Sequence, residues 1–322
     1  MDIRAKMRRD WDRRARDDAR FWIATEDYRT EHEFAASGEA TARALLERLP
    51  EAGREQWNVL EIGCGIGRVL RPLSNHFRSV VGVDVSEAMI DQSRSWLAGI
   101  PNAKTLLGTG VDLRAFADAT FDLVYAYVAF QHMPRPVFAS YLREAHRVLV
   151  PDGLLLFQAF VGPPADPPFD DTISLRVYAP AELEHALAEA GFAPAALPPL
   201  GSSAENAWVS TRRAGPASAP SEVQWQTRTC SDEASPLDVH LQRHRAEALL
   251  RCGDVEGAAR GFASLVAYDP DQLAAWLMSV SLDLELGRTQ EACASLAALI
   301  RHHPHYLPAR DMLAQLEAVL QP

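Results

Sequence analysis

The run Val59-Leu60-Glu61-Ile62-Gly63-Cys64-Gly65-Ile66-Gly67-Arg68-Val69-Leu70 decides the fold. Apolar residues lead into an acid, three glycines follow at alternate positions, and a helical pattern begins after them. That order predicts a strand, a tight turn and a helix N-terminus, the usual seat of a nucleotide-like ligand. The spacing is G-x-G-x-G, which differs from the G-x-G-x-x-G of dinucleotide enzymes, and no phosphate-cradling lysine follows it. A nicotinamide oxidoreductase is disfavoured on that ground.

Outward from this turn, residues 57–213 alternate between strand and helix patterns. Arg68 to Phe77 reads as the first helix, and Val80-Val81-Gly82-Val83-Asp84 as a second strand ending in an acid. Ser86 can cap the next helix, which carries Met89 and Ile90. Leu106-Leu107 marks a short third strand, and Phe121 to Val128 a buried fourth. A helix runs through Tyr141 and Val148. The turn Pro151-Asp152-Gly153 leads to a fifth strand, Leu154 to Phe157. A helix over Ala179 to Ala190 and a last strand over Glu205 to Thr211 complete the pattern. Such alternation predicts an α/β fold: a Rossmann-like, doubly wound, mostly parallel sheet with helices on both faces. Seven strands are expected.

Residues 1–50 form a charged helical arm with Trp11, Phe21, Trp22 and Tyr28 among the charges. A packing extension over one face and a lid over a ligand site suit these residues equally. Residues 51–213 are the sheet domain, and the Pro- and Ser-rich stretch 214–235 reads as a linker. Residues 236–322 are all-α and repetitive. Gly253 and Gly287, Ala258 and Ala292, Pro270 and Pro304, Ala275 and Ala309, Met278 and Met312, and Leu282 and Leu316 each stand 34 residues apart. That period resembles the tetratricopeptide repeat. Two helix pairs and a final helix are expected, able to bind a protein or peptide partner or to mediate homodimerisation.

The formal net charge is −11, so no global field draws the chain to nucleic acid. The apolar runs are too short to span a bilayer, and no signal peptide is expected. Of 32 basic residues only Lys6 and Lys104 are lysine, a bias that suggests a GC-rich bacterial genome. Cys64, Cys230, Cys252 and Cys293 form no C-x-x-C pair, which points to reduced thiols in a cytoplasmic protein without zinc. No metal site is expected. His302, His303 and His305 read as a solvated helix end.

Four motifs occur in order: V-L-E-I-G-C-G-I-G, V-V-G-V-D-V-S-E-A-M-I, F-D-L-V-Y-A-Y-V-A-F-Q-H-M and R-V-L-V-P-D-G-L-L-L-F. Through them residues 57–151 resemble the class I S-adenosylmethionine-dependent methyltransferases of the small-molecule kind (types 11 and 25), with a weaker likeness as far as residue 213. The resemblance implies S-adenosylmethionine as cofactor, S-adenosylhomocysteine as product, and an O or N acceptor on a small molecule or peptide. Gly63, Cys64 and Gly65 would let the backbone approach the cofactor closely. Glu61 would reach its amino-acid end, and Asp84 its ribose hydroxyls. Val85 and Met89 would pack on adenine, although Met89 equally suits a core position on its helix. Gly110, Val111 and Asp112 would read the adenine edge, with a plain turn acid as the other role for Asp112. Val128 closes the fourth strand beside the cofactor. His132 falls where the acceptor would sit, either as a general base or as an orienting histidine. His32, Glu33, Tyr178 and His185 are further acceptor-side candidates. A cofactor-binding scaffold that works through its repeats, without turnover, is the alternative reading.

Overall fold

The computed structural model describes residues 1–24, 28–217 and 228–320. Most of the expected linker, residues 218–227, lies outside them. Two compact units are present, Met1–Asp232 and Glu233–Pro322.

The first unit is built on a seven-stranded sheet. Its strands are β1 (Asn58–Ile62), β2 (Ser79–Asp84), β3 (Ala103–Leu107), β4 (Phe121–Ala126), β5 (Leu149–Val161), β6 (Val177–Tyr178) and β7 (Glu205–Arg212). The order is β3-β2-β1-β4-β5-β6, all parallel, and β7 runs antiparallel to β5. The order reverses between β1 and β4, the switch point at which open α/β sheets hold ligands off their carboxyl ends.

Period-2 alternation divides the core into two layers. Leu60, Ile62, Val124, Leu155 and Phe157 face one layer. There they meet α5 (Arg135–Val148) and α6 (Pro180–Glu189). Val59, Leu123, Tyr125, Leu154 and Leu156 face the other. That layer holds α2 (Glu31–Leu46), α3 (Leu70–Leu73) and α4 (Glu87–Trp96). The arm helix α1 (Ile3–Ala24) joins both: Ile3 and Met7 belong to the first layer, Ala15 and Ala19 to the second. It therefore crosses the sheet at one end. Its helical geometry breaks at Asp18 (φ −166°, ψ 94°), whose carboxylate accepts the Phe21 N–H.

Local chemistry sets the boundaries. Thr30 and Glu33 form a reciprocal capping box on α2. Ser86 caps α4 by accepting the Met89 N–H. Three details differ from the sequence reading. The first helix is only Leu70–Leu73, because the chain continues as tight i→i+3 turns through Asn75 and His76. Pro151-Asp152-Gly153 is no turn between elements but an irregularity inside β5, with Asp152 at φ 61° and a register shift opposite Phe121 and Leu123. β6, two residues long, has too short a pattern to be read from sequence.

The second unit is helical: α7 (Pro236–Arg251), α8 (Val255–Tyr268), α9 (Leu273–Glu285), α10 (Thr289–His302) and α11 (Pro308–Leu320). Each helix packs on the next. Gly253 (φ 80°) and Gly287 (φ 73°) turn the chain at equivalent places, where a side chain would be strained. A Cβ on Gly261 would stand 2.9 Å from that of Ala246, so α7 and α8 approach closely. No helix among the described residues is long and apolar enough to cross a membrane.

Leu60 is fully buried in β1. Leu60→Ala is expected to destabilise the first unit by about 2–5 kcal/mol. Urea unfolding followed by tryptophan fluorescence measures it, and a loss below about 1 kcal/mol would contradict this packing.

Candidate functional site

The loop after β1 turns through Gly63 (φ 75°), Gly65 (φ 53°) and Gly67 (φ 84°). The Gly63 and Cys64 N–H groups both donate to the Val83 carbonyl, at 2.8 and 3.1 Å, and hold the turn against β2. A Cβ on Gly63 would lie 2.5 Å from that of Ala129, and one on Gly65 only 2.7 Å from Ile23 Cδ1. Gly63 is thus required by contact as well as by dihedral angle, and Gly65 and Gly67 by dihedral angle. Cys64 packs its thiol against Gly82, and burial pushes that thiol well above the usual range.

Two carboxylates end the two central strands. Asp84 accepts the Gly65 N–H at 2.8 Å and the Ser86 N–H at 2.9 Å. Burial raises its pKa to about 6 against the pull of those bonds. Glu61 is 3% exposed, and its Oε2 has no hydrogen-bond partner. Burial pushes Glu61 up to about 8, and the Asp84 charge adds to the effect. The Tyr125 hydroxyl and the Arg68 charge pull the other way without cancelling that rise, and an unpaired buried oxygen costs free energy.

These groups line one cavity. Of the residues singled out from sequence, Glu61, Gly63, Cys64, Gly65, Asp84, Val85, Met89, Gly110, Val128 and His132 lie on its wall. Val111 and Asp112 do not. Val111 is buried in the layer beneath α5, and Asp112 is engaged by Arg114. Burial would raise the Asp112 pKa, yet the Arg114 ion pair overrides it and holds the carboxyl low. Among the weaker candidates, Glu33 serves the α2 cap, His185 pairs with Glu189, and Tyr178 lies under Arg135. His32 lines a separate surface cleft beside α2. The late histidines are also accounted for: His302 stacks on Trp276, and His303 contacts the Pro270 carbonyl at 2.9 Å. Among the described residues no group of three metal-ligating side chains is assembled.

Trp11 and Trp22, named from sequence as parts of an arm that could pack on a face or act as a lid, line the cavity, and sequence reasoning missed Met7, Ile23, Arg68, Tyr127, Met133 and Tyr141 beside them. The aromatics set among charges on the arm were the one available signal. Arg14 is fully buried, lies over the Trp11 ring at 4.7 Å and the Trp22 ring at 5.7 Å, and donates to Thr172 Oγ at 3.1 Å.

His132 follows β4 through Val128, a β-branched residue at φ 54°, where backbone strain is stored. Its ring lies 5.9 Å from that of Trp11, and its Nδ1 is buried without a hydrogen-bond partner. Arg176, itself 1% exposed, donates to the His132 carbonyl at 2.9 Å and ties this loop to residues 168–171. Burial, reinforced by the Arg14 charge, lowers the imidazole to about 4. It is neutral at physiological pH.

The glycine turn, Glu61, Asp84 and His132 all lie within one stretch that known proteins share. Residues 59–153 match the family described as methyltransferase domain. S-adenosylmethionine is the cofactor of such domains. A malonyl-[acyl-carrier protein] O-methyltransferase of Coxiella burnetii is 36% identical over 126 residues, which cover 38% of this chain and 40% of that protein. A protein-L-isoaspartate O-methyltransferase of Nitrobacter winogradskyi is 37% identical over 121 residues, covering 37% and 50%. The chain thus spans half or less of the length of these relatives. A solved S-adenosylmethionine dependent methyltransferase from Mesorhizobium loti aligns with a TM-score of 0.43 at 19% identity, over 56% of this chain and 100% of that one.

Glu61 fixes a testable sign for this domain. Between about pH 4.5 and 8 the unfolded chain releases the Glu61 proton and the folded chain keeps it. Stability from this group therefore falls as pH rises across that window, and the full cost stands above pH 8. Glu61→Gln is expected to stabilise the ligand-free protein by on the order of 1–3 kcal/mol at pH 8 and by little at pH 5. Melting curves at the two pH values test this, and equal shifts at both would refute it.

Proposed function

We propose that the chain is an S-adenosylmethionine-dependent methyltransferase that passes the methyl group to an oxygen or nitrogen on a small molecule or peptide and releases S-adenosylhomocysteine. The observation that carries the reading is the buried, unpartnered Glu61 Oε2 beside Asp84 on a glycine cradle. The residues fit the cofactor. Glu61 offers an acceptor to its ammonium group. Asp84 spends one lone pair of each oxygen on the backbone and keeps the others for ribose hydroxyls. Val85 and Met89 supply apolar contact for adenine, with Gly110 leaving room beside them.

When bound, S-adenosylmethionine supplies a methyl group on a sulfonium, already activated for in-line displacement. The protein must align the acceptor and exclude water, and alignment alone can lower a barrier by roughly 7–11 kcal/mol. Met7, Trp11, Trp22 and Ile23 act as the water-excluding wall, so the arm of residues 1–50 serves as a lid. His132, neutral and weakly basic, acts by orienting the acceptor through a hydrogen bond. Relatives carry acceptors as different as a malonyl-acyl carrier and, in a tRNA N(3)-methylcytidine methyltransferase of Schizosaccharomyces pombe, a nucleoside. Their variety leaves the acceptor to the residues around His132.

We read residues 51–213 as the catalytic domain, 214–235 as a linker and 236–322 as tetratricopeptide-like repeats. The recurrence of positive-φ glycines at 253 and 287 and the run of five helices support the repeat reading. The repeats would hold a protein or peptide partner or a second copy of the chain, in a bacterial cytoplasmic enzyme.

Asp84→Ala is expected to weaken S-adenosylmethionine binding about 100-fold or more, as two hydrogen bonds to a charged acceptor are lost. Wild-type affinity should hold near pH 8 and fall as pH drops through about 6, where Asp84 takes up its proton. Calorimetry checks both, and unchanged affinity in the variant would remove the cofactor assignment. All cavity-lining residues precede Asp232. A chain ending at Asp232 is therefore expected to bind the cofactor with undiminished affinity; loss of binding in a folded truncation would count the repeats as part of the site.

A further inference from the structure

The arm does more than cover the cavity. Helix α1 carries Asp12 to the N-terminus of α4. There Asp12 Oδ1 accepts the Ser86 hydroxyl at 2.7 Å and the Ala88 N–H at 3.0 Å. Ser86 is fully buried. Its Oγ also accepts the Met89 N–H at 3.1 Å, and its own N–H donates to Asp84 Oδ1 at 2.9 Å. Asp84 Oδ2 in turn takes the Gly65 N–H at 2.8 Å. An unbroken hydrogen-bonded chain thus runs from Asp12 through Ser86 and Asp84 to the glycine turn.

Helix α4 already has its own cap in Ser86, so it does not need a second one from a distant segment. Asp12 is 8% exposed, and its nearest cation, Arg16, stands 3.8 Å away. Placing a second buried carboxylate this close to Asp84 is costly. The N-terminal dipole of α4 and two hydrogen bonds offset that cost. What the arrangement achieves is registration of the arm on the cofactor residues. One turn before Asp12 on α1, Arg8 donates to the carbonyls of Val85 (3.3 Å) and Gly108 (3.4 Å). Met7 Cε lies 3.2 Å from where a Cβ on Gly110 would stand, and Trp11 faces the cavity.

We propose that Asp12 is a positioning residue for the cofactor: through Ser86, whose hydroxyl it accepts and whose N–H donates to Asp84, it orients the Asp84 carboxylate toward the ribose, and it sets Met7 and Trp11 against the same ligand. The inference rests on the reading of the cavity as an S-adenosylmethionine site. It makes ribose selectivity depend on a residue outside the matched domain, which begins at residue 59.

The test is calorimetric titration with S-adenosylhomocysteine and with its 2′-deoxyribose analogue. In the wild-type protein the missing hydroxyl is expected to cost about tenfold in affinity. Asp12→Ala should weaken S-adenosylhomocysteine about tenfold and bring the ratio of the two ligands toward one. Asp12→Asn keeps both acceptor bonds and should restore affinity and ratio together. A residue that only stabilised α4 would lower the melting temperature and leave the ratio alone. Should Asp12→Ala not fold, Ser86→Ala breaks the same chain at its middle and is read by the same ratio. A wild-type ratio in folded Asp12→Ala or Ser86→Ala protein overturns the proposal. Failure of the wild-type protein to bind S-adenosylhomocysteine overturns the reading of the cavity, and the proposal with it.

Discussion

The Asp84 carboxylate accepting the backbone N–H groups of Gly65 and Ser86 is the constraint on which the first unit depends. It ties the glycine turn after β1 to the start of α4 after β2. Both connections leave the carboxyl end of the sheet, one from β1, which borders the switch point, and the other from β2 beside it. The bond pair keeps an ionisable group buried without leaving it unsatisfied. Burial nonetheless raises that carboxyl toward neutrality and raises the neighbouring acid, Glu61, further.

Function follows from that imbalance. A site that holds two acids at raised pKa values, one of them unpartnered, gains when a cationic, hydroxyl-bearing ligand enters. The opposite wall is different in kind. It is aromatic and apolar, with a neutral histidine and a buried arginine behind the tryptophan rings. Methyl transfer from a sulfonium needs no strong base when the acceptor is already nucleophilic. A wall that aligns and dries the site is then sufficient chemistry.

The arm links the two halves. Helix α1 reaches both core layers, and its break at Asp18 lets one segment dock on α4 while the next carries Trp22 and Ile23 over the glycine turn. Its many charges do not make it a solvated appendage. Asp10 pairs with Lys6 and accepts the Thr172 hydroxyl, Arg14 meets Thr172, and Asp12 meets Ser86. These polar groups are satisfied at Thr172, at Ser86 and by one another, which is why a charged sequence can be buried here.

The sequence by itself determined the parallel sheet, the glycine turn, and the acids that end β1 and β2. Those features are local: a strand's period, a glycine's permitted φ and a residue's place at a strand end need no distant partner to be read. Tertiary structure decided the rest. That Asp112 answers to Arg114 and stands off the cavity depends on which way a loop turns, and a loop carries no periodic pattern to say so. That Met7, Trp11, Trp22 and Ile23 complete the wall depends on contacts across roughly 40–100 residues of chain, for which amphipathic patterns carry no address. His132 lines the cavity beyond the end of β4, but its neutrality comes from burial and from Arg14, a residue more than a hundred positions away. Position along a strand is written in sequence; the field at that position is made by everything that folds around it.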